Sequence, residues 1–177
     1  GLAVAGWRRV PRDPSVCGAE ALRTLPSIEQ IFVRAPAGMA QALFNRLLYI
    51  ARRRAELELA TVDESFYVAS LCANTLAYKG MVMPAALPEF YRDLRDPRLA
   101  SSVCVFHQRF STNTWPQWRL AQPFRLIAHN GEINTIRGNR NWALARARNF
   151  QSDKLPDVSS LEPLVSMDGS DSSSLDN

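Results

Sequence analysis

Two short runs, His107-Gln108-Arg109-Phe110-Ser111-Thr112-Asn113-Thr114 and Ala128-His129-Asn130-Gly131-Glu132-Ile133, hold both histidines of the chain and an unusual density of polar side chains between apolar segments. Asn130-Gly131 is the most suggestive pair within them. A glycine can leave a backbone N–H pointing into a cleft, and an asparagine amide can donate beside it. Two such donors make an oxyanion hole. The same dipeptide is also the strongest short signal for a hairpin turn, and spacing alone does not choose between the two. Arg109 offers a fork for a carboxylate or stands as a surface arginine. Asp171, in Gly169-Ser170-Asp171-Ser172, suits either an ammonium partner or the cap of a helix.

A nucleophile is harder to find. Cys104 and His107 are three apart on an expected strand, so their side chains point to opposite faces and do not form a thiolate–imidazole pair. Cys104 and Cys72 read as small buried hydrophobes, and Cys17 sits in a loop without a neighbouring base. The two histidines are 22 positions apart with no Cys or carboxylate at ligand spacing, which argues against a metal site.

These residues need elements to hold them. Residues 1 to 27, with Pro11, Pro14 and Pro26, read as irregular chain leading into a strand at Ile28 to Arg34. Leu43, Phe44, Leu47, Leu48 and Ala51 recur at helical spacing from about Gly38, with Arg46 and Arg52 to Arg54 on the solvated side near the C-terminal end, where the macrodipole favours them. Ser65 to Leu71 and Thr75 to Lys79 suggest a hairpin, residues 84 to 95 a short helix, and Ser101 to Phe110 and Phe124 to Ala128 two further strands. Ile133, Ile136, Trp142, Ala145 and Phe150 suit a helix capped at Asn134 or Thr135, with close packing expected at Gly138. The ending, Asp168 to Asn177, shows helix-start residues with no helix after them and looks cut off. Hairpin-linked strands argue for antiparallel sheet with helices layered on it, an α+β fold.

The chain has 177 residues, 46% of them hydrophobic, which is enough for one core. Three cysteines without CxxC spacing read as reduced thiols. No apolar run reaches the ~18 residues of a membrane helix, and the N-terminus lacks the charged n-region of a signal peptide. The expectation is a cytoplasmic protein with no membrane partner. A net charge of +4 is a modest excess whose densest runs fall on helices, which argues against nucleic acid.

HQRFSTNTWPQW (His107 to Trp118), LAQPFRLIAHNGEINTIRGNRNW (Leu120 to Trp142) and the terminal DGSDSSSLDN resemble the glutaminase domain of glutamate synthase large chains, class II glutamine amidotransferases. GWRRVP, IEQIFVRAP, YKGMVMP and FYRDLRDPR echo it in the same order, so the resemblance covers residues 1–177 as a single partial domain. It implies an incomplete N-terminal-nucleophile hydrolase fold, an αββα sandwich. It also implies hydrolysis of L-glutamine to glutamate and ammonia in the complete protein, the ammonia serving reductive glutamate synthesis from 2-oxoglutarate. By resemblance Arg109 grips the glutamine carboxylate with Thr112 beside it, Asn130 and Gly131 are the oxyanion donors, and Asp171 reads the ammonium. The family carries a cysteine as residue one of the mature chain, whereas residue one here is Gly1, so the piece alone is expected to be inactive. FMN and an iron–sulfur cluster are implied for the full-length protein and no cofactor for this segment, and the implied partners are L-glutamine and the remaining domains of the same synthase chain. The alternative is a degenerate amidotransferase-like module that binds glutamine without hydrolysing it.

Overall fold

The computed structural model describes residues 2–155 and 157–176. Its sheet is a two-stranded antiparallel ribbon of β1 (Ala3–Arg9) and β2 (Glu29–Arg34), with Trp7 opposite Ile31 and Arg9 opposite Glu29. β2 falls where the β-branched run predicts it. β1 contradicts the expected irregular start, and its register explains why. The pairing slips between Val4 and Gly6, and this irregularity breaks the period-two pattern by which a strand is recognised.

Between the strands lies the short helix α1 (Ala19–Arg23), and after them α2 (Gln41–Leu59). α2 runs beyond the expected end, so its last turn carries no basic residue. Arg52 and Arg53 are not solvated as expected but 4% and 7% exposed. Glu56, one turn on, accepts from Arg52 at 2.9 Å, and Arg53 donates to the backbone oxygens of Leu161 (3.1 Å) and Pro163, so α2 is tied to the 159–163 region by charge-assisted bonds.

The expected helix at 84–95 is split into two 3-10 turns around α3 (Leu87–Phe90). Phe90, Tyr91 and Trp118 close the core with Val10 and Ala21. The Phe90 and Tyr91 rings meet edge-on at 4.7 Å, and the Trp118 indole N–H donates to Ala21 O at 3.2 Å. Gly80 lets Trp118 in, since a Cβ there would sit 2.5 Å from the ring.

Residues 65–71, 75–79, 101–110 and 124–128 form no strand among the described residues. Alternation defines a face, but a ladder also needs a second edge. Here several backbone donors take side chains instead: Val68 N–H donates to Glu56 Oε1 (3.3 Å), Ala73 N–H to Asn45 Oδ1 (2.9 Å) and Ala77 N–H to Ser70 Oγ (3.0 Å).

α4 (Ile136–Arg146) begins after Thr135, whose side chain makes no capping bond. Gly138 is exposed and a Cβ there would meet nothing within 4 Å, so the expected close packing is absent. The polar ending does form a helix, α5 (Asp171–Leu175), capped by the Ser170 hydroxyl. Arg140 joins α4 to α5 by donating to Ser174 Oγ. The expected burial of cysteines also fails: Cys72 and Cys104 are exposed and Cys17 is half-buried, all three as free thiols. Both exposed cysteines lie in segments without ladder partners, where no facing sheet covers them.

Candidate functional site

The two polar runs lie side by side and are joined residue by residue. His107 Nδ1 accepts the Arg109 N–H at 3.0 Å, and a backbone N–H can only donate, so the neutral ring carries its proton on Nε2. Nε2 stands 3.1 Å from Asn130 Oδ1, which therefore accepts. With its oxygen turned to His107, the exposed Asn130 keeps its NH2 as the free donor end.

Gly131 adopts φ +80°, and a Cβ there would come within 2.5 Å of Ser111 Oγ, so both conformation and space demand glycine. Its N–H donates to His129 Nδ1 at 2.9 Å, and its C=O lies 3.1 Å from Ser111 Oγ. No hairpin turn forms at the pair: the chain there has no regular turn, and side chains hold it. Thr112, exposed, donates from its hydroxyl to Glu132 Oε1 at 3.1 Å. Arg109 is exposed, and its guanidinium has no hydrogen-bonding partner among the described residues.

Asp171 is not the cap of α5 but its first residue, 6% exposed. One carboxylate oxygen accepts from Asn113 Nδ2 at 2.7 Å and the other from the Ile133 N–H at 2.8 Å. α5 holds the second run at further points. Ser172 Oγ donates to His129 O at 3.3 Å, and the buried Asp176 carboxylate accepts the backbone N–H groups of Arg125 (3.0 Å) and Leu126 (2.6 Å). Gln122 completes the grip, its side-chain amide pairing with both backbone groups of His129. Asn113, Gln122, Ser172 and Asp176 were not foreseen from sequence. Asn113 lies inside the polar run and was within reach, whereas the others are identified only by where α5 and the 122–129 loop meet.

Lys79 stands behind that loop, 6% exposed, donating to Arg119 O at 2.8 Å over the rings of Phe124 and Tyr67. Burial pushes its ammonium down to about 7, helped by Arg125 and opposed by Asp176. Burial likewise pushes the Tyr67 phenol up to about 12.

A separate apolar cavity of about 320 Å3, lined by Leu144, Phe150, Leu164 and Met167 among others, shares no residue with this cluster. Among the described residues no three His, Cys, Asp or Glu side chains gather as a metal site. No helix among them is long and apolar enough to cross a membrane.

The arrangement thus presents a free amide donor, a glycine at positive φ, an unpartnered guanidinium and a buried carboxylate around one pair of runs. The family model of class-II glutamine amidotransferases matches residues 1–177. The chain is 47% identical, over 99% of its length, to Ferredoxin-dependent glutamate synthase 2 of Synechocystis sp.. It is 43% identical, over its full length, to the Glutamate synthase (NADPH) large chain of Bacillus subtilis, and 41% identical to Glutamate synthase (NADH) of Schizosaccharomyces pombe. It spans only 11%, 12% and 9% of those proteins, respectively. The chain belongs to the class-II glutamine amidotransferases.

Proposed function

We propose that residues 1–177 are the glutamine-binding part of a glutaminase domain in a larger cytoplasmic glutamate synthase. Arg109 takes the α-carboxylate of L-glutamine as a bidentate fork, with Thr112 beside it. Asp171 receives the α-ammonium with acceptor capacity left over from its two bonds. The amide end is thereby directed to Asn130 and Gly131.

In the complete polypeptide an N-terminal cysteine attacks the side-chain amide carbon, its α-amino group taking the thiol proton. The C–N bond breaks, ammonia leaves, and water cleaves the γ-glutamyl thioester to glutamate. Asn130 Nδ2 and the Gly131 N–H donate to the oxygen as it gains charge. Gly131 then exchanges the His129 imidazole for an anionic acceptor, and a charge-assisted bond is the stronger of the two. Cys17, Cys72 and Cys104 have no place in this step. The remainder of the synthase supplies FMN, the iron–sulfur cluster, and the strands that complete an αββα sandwich on the unpaired segments.

The orientation of Asn130, fixed by His107, is the observation that carries the reading. Sequencing the gene upstream of the Gly1 codon tests it most cheaply. An open frame reaching back to a processed or initiating Cys is expected, and a frame without one refutes the proposal.

A further inference from the structure

We propose that Gln122 is a positioning residue that sets the height of the Asn130–Gly131 donors, an inference that rests on the glutaminase reading above. Gln122 is 7% exposed, and its side chain makes a two-point pair with one backbone unit. Oε1 accepts the His129 N–H at 2.9 Å, and Nε2 donates to His129 O. A primary amide is the side-chain group that donates and accepts in one plane, so Gln122 substitutes for a neighbouring strand at a place where the loop has none.

The loop between the paired residues is itself held. Phe124 N–H donates to Ile127 O at 2.9 Å, and Asp176 takes the Arg125 and Leu126 N–H groups. Gln122 therefore joins a fixed base to His129. From His129 the geometry passes directly to the donors: its Nδ1 holds the Gly131 N–H at 2.9 Å, and Asn130 is the residue between. Ser172 Oγ adds a third bond, to His129 O at 3.3 Å.

Replacing Gln122 by Glu keeps the shape and the acceptor but removes the donor, setting a carboxylate oxygen against the His129 carbonyl. His129 then moves, and the two donors move with it. Arg109 lies on the other run, and Asp171 keeps its bond from Asn113 on that run, so substrate and product binding persist while stabilisation of the oxyanion is lost.

The full-length polypeptide provides the test, with two ligands. L-glutamate γ-semialdehyde adds the nucleophilic thiol reversibly and places an oxyanion at the donors, whereas L-glutamate tests the carboxylate and ammonium contacts alone. Gln122→Glu is expected to raise the inhibition constant of the aldehyde by roughly 10- to 100-fold relative to wild type, with that of glutamate unchanged. Inhibition constants do not depend on the active fraction, so partial misfolding does not imitate the result. An aldehyde constant that stays at the wild-type value, or one that rises in step with the glutamate constant, overturns the inference. If Gln122→Glu does not fold, Ser172→Ala takes its place, with a smaller loss confined to the aldehyde expected and the same two results overturning it. A wild-type polypeptide that does not bind the aldehyde more tightly than glutamate overturns the glutaminase reading instead.

Discussion

Asn113 Nδ2 donates to Asp171 Oδ1 at 2.7 Å across 58 residues of chain, and this bond joins the first polar run to the helix that holds the second. It satisfies one oxygen of a buried carboxylate whose other oxygen takes the Ile133 N–H. Asn113→Leu removes the donor and leaves the acceptor in place. A loss of about 1–3 kcal/mol in urea unfolding is expected, the usual penalty for a buried polar group left short of a partner. A loss below about 0.5 kcal/mol in that measurement, within the range of ordinary surface substitutions, contradicts the bond's role.

Two glycines of the site region respond oppositely to one added methyl. Gly138 lies in α4 with open space around it, so Gly138→Ala should stabilise the chain by about 0.5–1 kcal/mol through helix propensity alone. At Gly131 the same change meets φ +80° and the Ser111 hydroxyl at 2.5 Å, and a clear destabilisation is expected. Thermal unfolding of the two variants checks the pair, and shifts of the same sign go against it.

Lys79 makes stability depend on pH. Its folded ammonium titrates at about 7 because burial disfavours the charge, whereas an unfolded lysine titrates near 10.4. Below pH 7 both states hold the proton and the burial penalty is fully present. Between pH 7 and about 10 the unfolded chain holds the extra proton, so this group makes stability rise with pH. Lys79→Met keeps the stem between Phe124 and Tyr67 and removes the charge. Denaturation midpoints from pH 6.5 to 9.5 should climb less steeply in the variant than in the wild type, and equal slopes would count against a buried ammonium.

The sequence was most legible where one element carries its own signal. β2 and the core of α2 were read from propensity and period, and the polar runs at 107–114 and 128–133 from density alone. β1 was missed because a register slip interrupts its alternation. The strands expected at 101–110 and 124–128 did not form because alternation describes one edge and pairing needs two. Arg52 and Arg53 were placed in solvent because a guanidinium is normally there. Their burial depends on Glu56 and on carbonyls 108 and 110 residues further on, which no local pattern encodes. The same distance hid Ser172 and Asp176, which reach back 43 and 50 residues to the loop they hold.

Steady-state ammonia release from L-glutamine by the full-length polypeptide tests the central claim most directly, with Asn130→Ala and Arg109→Ala compared side by side. In the proposed assignment Asn130 Nδ2 meets only the developing oxyanion, so its loss should lower kcat by roughly 100- to 1,000-fold with KM little changed. The proposed role of Arg109 has it meet the carboxylate in both ground and transition states, so its loss should appear mainly as a raised KM. That split is the predicted result, and wild-type turnover in Asn130→Ala would contradict the proposed assignment of Asn130 as an oxyanion donor.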